Sequence, residues 1–198
     1  AAYWLMPRLQ RFHQANPRVD VSLVTSERSH GMLRQDIDVA VLFGDGRFPQ
    51  GESCWLFDEE VFPVCSPRLL GETAAPLAPE SLLKLPLLHL RGESASRWFD
   101  WNGVFRELKL PGPPSSGPLR FDNYTLLIQA AIAGQGVAIG WRYLVDALLD
   151  QGLLCRPLTG SIRSAQGYYV VRPPRKRRST LVERFVEWLG EEQSRQPV

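Results

Sequence analysis

Apolar residues along the chain follow two periods in turn, about 3.6 and 2, and their succession predicts alternating helices and strands. Leu5, Leu9 and Phe12 fall on one helical face, Pro7 is tolerable only in the first turn, and Asn16-Pro17 stops the helix. Val19, Val21 and Leu23 alternate with polar residues as a half-buried strand does, and "SERSHGMLRQ" (26–35) suits a loop and a short helix. "DVAVLF" (38–43) is apolar on both faces, which suggests a parallel sheet covered on both sides. Turn residues fill "GDGRFPQG" (44–51), ahead of the strand-like "SCWLF" and "EVFPVCSP". Pro63 in the latter run argues for an edge or crossing strand.

From about Ser66 the pattern restarts, as expected of a second lobe. A short helix is predicted near Pro79 to Lys84 and a strand over "PLLHL" (86–90). A further helix presents Trp98, Trp101, Phe105 and Leu108 at helical spacing. The prolines and glycines of "LPGPPSSGP" (110–118) require a surface loop. "LRF" (119–121) is a strand, Asp122 or Asn123 caps a helix running to Ala133, and "GVAIG" is the next strand. The helix "YLVDALLDQG" and the strands "LLCRPL" and "GYYVVRP" (167–173) follow. Thr180 and Glu183 make a capping box for a last helix with Leu181, Phe185, Trp188 and Leu189 inward. The two glycines of "AGQGVAIGW" (133–141) do not make a phosphate cradle, because a dinucleotide fingerprint needs strand, glycine turn and then helix. Here the helix comes first, Gly134 falls at its C-cap, and the dipole end beside the glycines is negative.

Composition narrows the function classes. The 23 basic and 21 acidic residues nearly cancel, so the chain as a whole has no electrostatic footprint for nucleic acid. Arg172, Arg175, Lys176, Arg177 and Arg178 form a local cluster, for which a solvated or partner-facing edge is expected. Cys54, Cys65 and Cys155 are odd in number, far apart and without a Cys-x-x-Cys pair, which fits a reducing, cytoplasmic location. No apolar run reaches the roughly 18 residues of a membrane helix and no leader opens the chain, so neither a membrane span nor an export signal is expected. His13, His30 and His89 are scattered, so no metal site is expected, and no cofactor. No Gly-x-Ser-x-Gly elbow or Cys/His motif occurs, and the paired carboxylates Glu59-Glu60 sit beside a strand, so the chain is not expected to be an enzyme.

The segments "WLMPRLQRFHQANPRVDVSL", "DIDVAVLFGDGR", "LFDEEVFPVCSPRLL", "LIQAAIAGQGVAIG" and "GYYVVRPPRKRRSTLVERFVEWL" stand in the order found in LysR-type transcriptional regulators. Over nearly its whole length the chain resembles their effector-binding domain, and its wording is most similar to the branch of the glycine-cleavage activator and β-lactamase regulators. The resemblance implies an α/β fold of two Rossmann-like lobes of the periplasmic-binding-protein type, joined by two crossing strands around a small-molecule cleft. Lobe I would comprise 1–65 and 168–198, and lobe II 66–167. It further implies a small-molecule effector and a homodimer or homotetramer in which the first helix takes part. DNA contact would come only through an N-terminal winged helix-turn-helix that, with the first strand of lobe I, is expected to precede this sequence. No membrane partner is implied.

Residue by residue, the resemblance carries over Ser26, after the second strand, and Asn123 with Tyr124, at a helix N-terminus, as effector contacts. Ser26 serves equally well as a plain helix cap. Asp45 and Arg47, in "GDGR", lie at the lip of the first lobe and are either effector contacts or mutually paired turn residues. Trp141 stands where many members of the branch carry Arg. An indole cannot bind a carboxylate, but with Tyr124, and with Trp98 or Trp101, it could wall an aromatic cage for a cation, Asp45 balancing the charge. Trp98 and Trp101 fit equally the buried face of their helix. The wording "FDNY…GQGVAIGW" also resembles regulators linked to choline-sulfate utilisation, which makes a quaternary ammonium compound such as choline or choline sulfate the expected effector. A solute-binding protein of a transport system, with the same fold, is the alternative function, and an enzyme on this fold lacks a nameable catalytic group.

Overall fold

The computed structural model describes residues 3–25, 37–49, 51–72, 75–91, 99–114, 119–174 and 179–195. Along the chain run α1 (Met6–Ala15), β1 (Ala40–Gly44), β2 (Glu52–Val64), α2 (Pro67–Leu70), a 3-10 helix (Pro79–Lys84), β3 (His89–Leu90) and α3 (Trp101–Glu107). Then come β4 (Arg120–Phe121), α4 (Tyr124–Ile132), β5 (Ala138–Trp141), α5 (Asp146–Asp150), β6 (Ile162–Arg172) and α6 (Thr180–Ser194). The larger sheet has the order β1-β6-β2-β5, and β3 and β4 pair separately in parallel. The chain divides into two compact units, Ala1–Glu59 with Ser164–Val198 and, second, Glu60–Arg163. β2 and β6 each run from one unit into the other, which makes them the two crossing strands.

In unit 1, α1 packs on α6. Pro7 sits in the first turn of α1, where its missing amide costs nothing, and the Asn16 side chain ends the helix by donating to the Phe12 carbonyl at 3.0 Å. Phe12 is buried edge-on to Phe185 at 5.0 Å and tilted to Trp188 at 5.1 Å. Glu192 is fully buried on α6, and its carboxylate accepts from Arg11 and from Arg195. In unit 2, β5 pairs antiparallel with β2 from Val61 opposite Trp141 to Val64 opposite Ala138. Leu127, Ile128 and Ala131 of α4 are buried there with Val137 and Ala138.

Several expectations change against this structure. Residues 19–23 join no strand, and Val21 and Leu23 are exposed. Alternation yields a strand only where a neighbour takes its backbone hydrogen bonds, and no described residue does so. β1 pairs antiparallel with the crossing strand β6 and exposes Val41, in place of a parallel sheet covered on both faces. "SCWLF" and "EVFPVCSP" are one continuous strand of 13 residues. "PLLHL" contributes only a short strand, and "LLCRPL" only an isolated bridge at Cys155. α5 begins at Asp146, because 142–145 form a turn in which Tyr143 takes φ 70° and its amide donates to Asp146 at 3.1 Å. The last helix is capped one position earlier than a Thr180–Glu183 box requires, at Ser179, whose side chain makes no cap bond. Leu181 is exposed, since the ring contacts of α1 reach Phe185 and Trp188 and stop a turn short of it.

Candidate functional site

In unit 2 the candidate residues Asn123, Tyr124 and Trp141 are brought together by local backbone chemistry. Asn123, not Asp122, caps α4: its side-chain oxygen accepts from the amides of Thr125 at 2.8 Å and Leu126 at 3.2 Å. At the other end Gly134 adopts φ +79°, its amide donates to the Ala131 carbonyl at 3.0 Å, and the Gln135 amide donates to Ala130 at 3.0 Å. These two bonds make a Schellman turn. A Cβ on Gly136 would lie 2.6 Å from the Pro86 carbonyl oxygen, so glycine lets the chain pass close there. β5 then returns along α4 and lays Trp141 against Tyr124, ring centroids 5.2 Å apart at 86°. The Trp141 amide donates to the Tyr124 hydroxyl at 3.2 Å, and that hydroxyl donates to the Ile139 carbonyl at 3.4 Å. Trp141 is only 4% exposed whereas Tyr124 is half-buried, so Tyr124 is the ring presented and Trp141 the ring behind it.

In unit 1 Asp45 and Arg47 share an exposed turn. The contact between them runs from the Arg47 backbone amide to the Asp45 carboxylate, at 3.1 Å, an Asx-type turn rather than an ion pair. Gly46 between them takes φ +86°, and its carbonyl accepts from Ser53 at 3.0 Å. Ser26 and Trp98 lie outside the described residues, as do Arg175, Lys176, Arg177 and Arg178. Arg172, the described member of that basic cluster, pairs with Glu52 at 2.7 Å. Trp101 is buried and its indole N–H donates to the Leu88 carbonyl at 2.8 Å, so it belongs to the core of unit 2.

A charged cluster beside Trp141 has no sequence motif. The Glu60 carboxylate, nearly buried, accepts from Arg142 at 3.3 Å and from Arg163 at 2.8 Å. Burial pushes its pKa up, but hydrogen bonds from Ser161 and Arg163 and the positive charges of Arg142 and Arg163 outweigh that and hold it below the ordinary carboxylate value. Its neighbour Glu59 is fully buried and accepts from Ser164 at 2.6 Å. Two consecutive glutamates inside an apolar strand were the available signal, since buried carboxylates require donors. His89, on β3, is held below the usual histidine value by burial and by the charge of Arg120. Among the described residues no group of three or more His, Cys, Asp or Glu side chains gathers as for a metal ion, and no helix is long and apolar enough to cross a membrane.

The sequence profile of the LysR substrate binding domain matches residues 1–194. The chain is 34% identical over 190 residues to the glycine cleavage system transcriptional activator of Escherichia coli strain K12, covering 96% of this chain and 60% of that protein. It is 31% identical over 189 residues to the HTH-type transcriptional activator AmpR of Rhodobacter capsulatus, covering 96% of this chain and 62% of that one. The chain thus spans about three fifths of the length of these relatives. The AmpR effector binding domain from Citrobacter freundii superposes with a TM-score of 0.80 at 23% identity, over 98% of this chain and 93% of that one. The shared fold is α/β, two Rossmann-like lobes of the periplasmic-binding-protein type joined by two crossing strands.

Proposed function

The chain belongs to the LysR substrate-binding-domain family, and from that premise we propose that it is the ligand-sensing part of a LysR-type transcriptional regulator. The observation that carries this reading is the match over residues 1–194, made together with relatives named as transcriptional activators. On this reading the whole protein is cytoplasmic, binds DNA through a separate N-terminal winged helix-turn-helix, and assembles as a homodimer or homotetramer. A small molecule acts by binding one state of the domain more tightly than another. The test is a DNA mobility shift with the whole protein and its own upstream DNA: an effector must change the shift, and a protein that binds no DNA overturns the reading. A transport-linked solute-binding protein has no support in the names of these relatives.

For the effector we propose a quaternary ammonium compound, choline or choline sulfate. What supports it is the half-buried Tyr124 ring, held edge-on by Trp141 at the capped N-terminus of α4. A ring face attracts a cation by roughly 0.5–2 kcal/mol. The exposed turn with Asp45 and Arg47 is a separate proposed effector contact, and Ser26 another. Choline, choline sulfate and betaine are to be titrated against the protein, following tryptophan emission and melting temperature. Binding raises the melting temperature, Tyr124→Ala abolishes the response and Tyr124→Phe retains it. Silence from all three compounds sinks the cationic effector while leaving the regulator reading to the DNA experiment.

A further inference from the structure

Two thiols of unit 2 meet at a place that effector binding does not use. Cys65 directly follows β2, Cys155 lies in the segment after α5, and the two residues form an isolated antiparallel bridge although they stand 90 positions apart. Their backbones bond in both directions, Cys65 amide to Cys155 carbonyl at 3.1 Å and Cys155 amide to Cys65 carbonyl at 2.8 Å. An antiparallel pair bonded in this way keeps its Cα atoms about 5.5 Å apart, within the roughly 4.4–6.8 Å that disulfides span. Both cysteines are reduced and their sulfurs are 3.9 Å apart. Side-chain rotation with a small backbone adjustment therefore suffices to reach the ~2.05 Å of an S–S bond.

We propose that Cys65 and Cys155 are a redox-active pair that forms a reversible intramolecular disulfide by exchange with a low-molecular-weight disulfide such as glutathione disulfide. Accessibility orders the steps, since Cys65 is buried and Cys155 is half-buried. Burial, and then the neighbouring Cys155 sulfur, push the Cys65 thiol up to about 12, so it is the poorer first nucleophile. Cys155 loses its proton to solvent, and its thiolate attacks one sulfur of glutathione disulfide, breaking that S–S bond and releasing a glutathione thiolate. The mixed disulfide on Cys155 is then attacked by Cys65, whose proton passes to a released thiolate while the second glutathione leaves. Two protein thiols are oxidised and one glutathione disulfide is reduced to two glutathione thiols; reduced glutathione in excess drives the sequence backwards. The bond ties the end of crossing strand β2 to the segment after α5.

The experiment uses the Cys54→Ser protein, which removes the exposed third thiol and leaves the pair intact. It is equilibrated with glutathione buffers of increasing oxidation, alkylated, digested and analysed by mass spectrometry. The expected product is a monomer with the Cys65 and Cys155 peptides joined, a melting temperature raised relative to the reduced form, and loss of both on adding dithiothreitol. In Cys65→Ala the glutathione adduct persists on Cys155. If Cys65→Ala does not fold, the early time points of the Cys54→Ser reaction show the same adduct. Both thiols staying free under glutathione disulfide, or an adduct on Cys155 that never resolves in the presence of Cys65, overturns the proposal.

Discussion

Asn123, Tyr124 and Trp141 owe their positions to a capped helix, a Schellman turn and a strand paired in register, whereas Asp45 and Arg47 ride on an exposed turn closed between a carboxylate and a backbone amide. The first group is part of the core it decorates: Trp141 packs where any change in volume is felt by α4 and β2. The second can be altered with little cost to its surroundings. A residue in the first group therefore reports on stability and binding at once, and a residue in the second on binding alone.

This contrast is open to direct attack. The largest effect is expected from Trp141→Ala, which removes a buried indole and should cost about 3–5 kcal/mol in urea unfolding; Asp45→Ala should stay within about 0.5 kcal/mol. Equal losses would mean that the two regions do not differ in the way described. Next comes Glu60→Gln beside Trp141, expected to cost about 1–2 kcal/mol at neutral pH, the solvent exposure of Arg163 reducing the charge-assisted bond. Because the folded state holds the Glu60 pKa below its ordinary 4.5, the stabilisation is complete above that value and is lost as pH falls through the depressed one. Melting curves between neutral and acid pH should therefore drop less steeply for Glu60→Gln than for the parent, and parallel curves would remove Glu60 from the account.

Asn123→Ala should cost about 1 kcal/mol, the usual value of a helix cap, and should lower the melting temperature without abolishing the Tyr124–Trp141 contact. Tyr124→Phe deletes the hydroxyl that accepts from Trp141 and donates to Ile139, for about 0.5–1.5 kcal/mol. That change is smallest in stability and most informative in function, because the ring face survives. An effector that binds through the hydroxyl loses affinity for this variant, and one that binds through the ring does not.

How much of this was legible in the sequence follows from the range of each interaction. The α4 turn could be read because its determinants are neighbours: an Asn at the cap and a Gly at the left-handed position lie within one helix length. The strand expected over 19–23 failed for the opposite reason, since alternation describes one strand and not the partner it needs. The Glu60 cluster draws on Arg142 and Arg163, 82 and 103 positions away, and Cys155 comes to Cys65 across 90. Spacing carries no information about such pairs. Trp141 was singled out correctly as a residue at a strand end, but its near-complete burial depends on Tyr124 lying across it, which only the fold supplies.

Gly134 has a consequence beyond the geometry of its turn. With φ +79° and open space where a side chain would begin, its requirement is one of handedness and not of room. In the unfolded chain the same glycine wanders over both halves of backbone space, so the turn is won against an avoidable loss of chain entropy. A residue of mirror-image chirality prefers the positive φ that the turn demands. D-alanine introduced there by chemical ligation should stabilise the domain by about 0.4–1 kcal/mol through its unfolded state, where L-alanine should destabilise it.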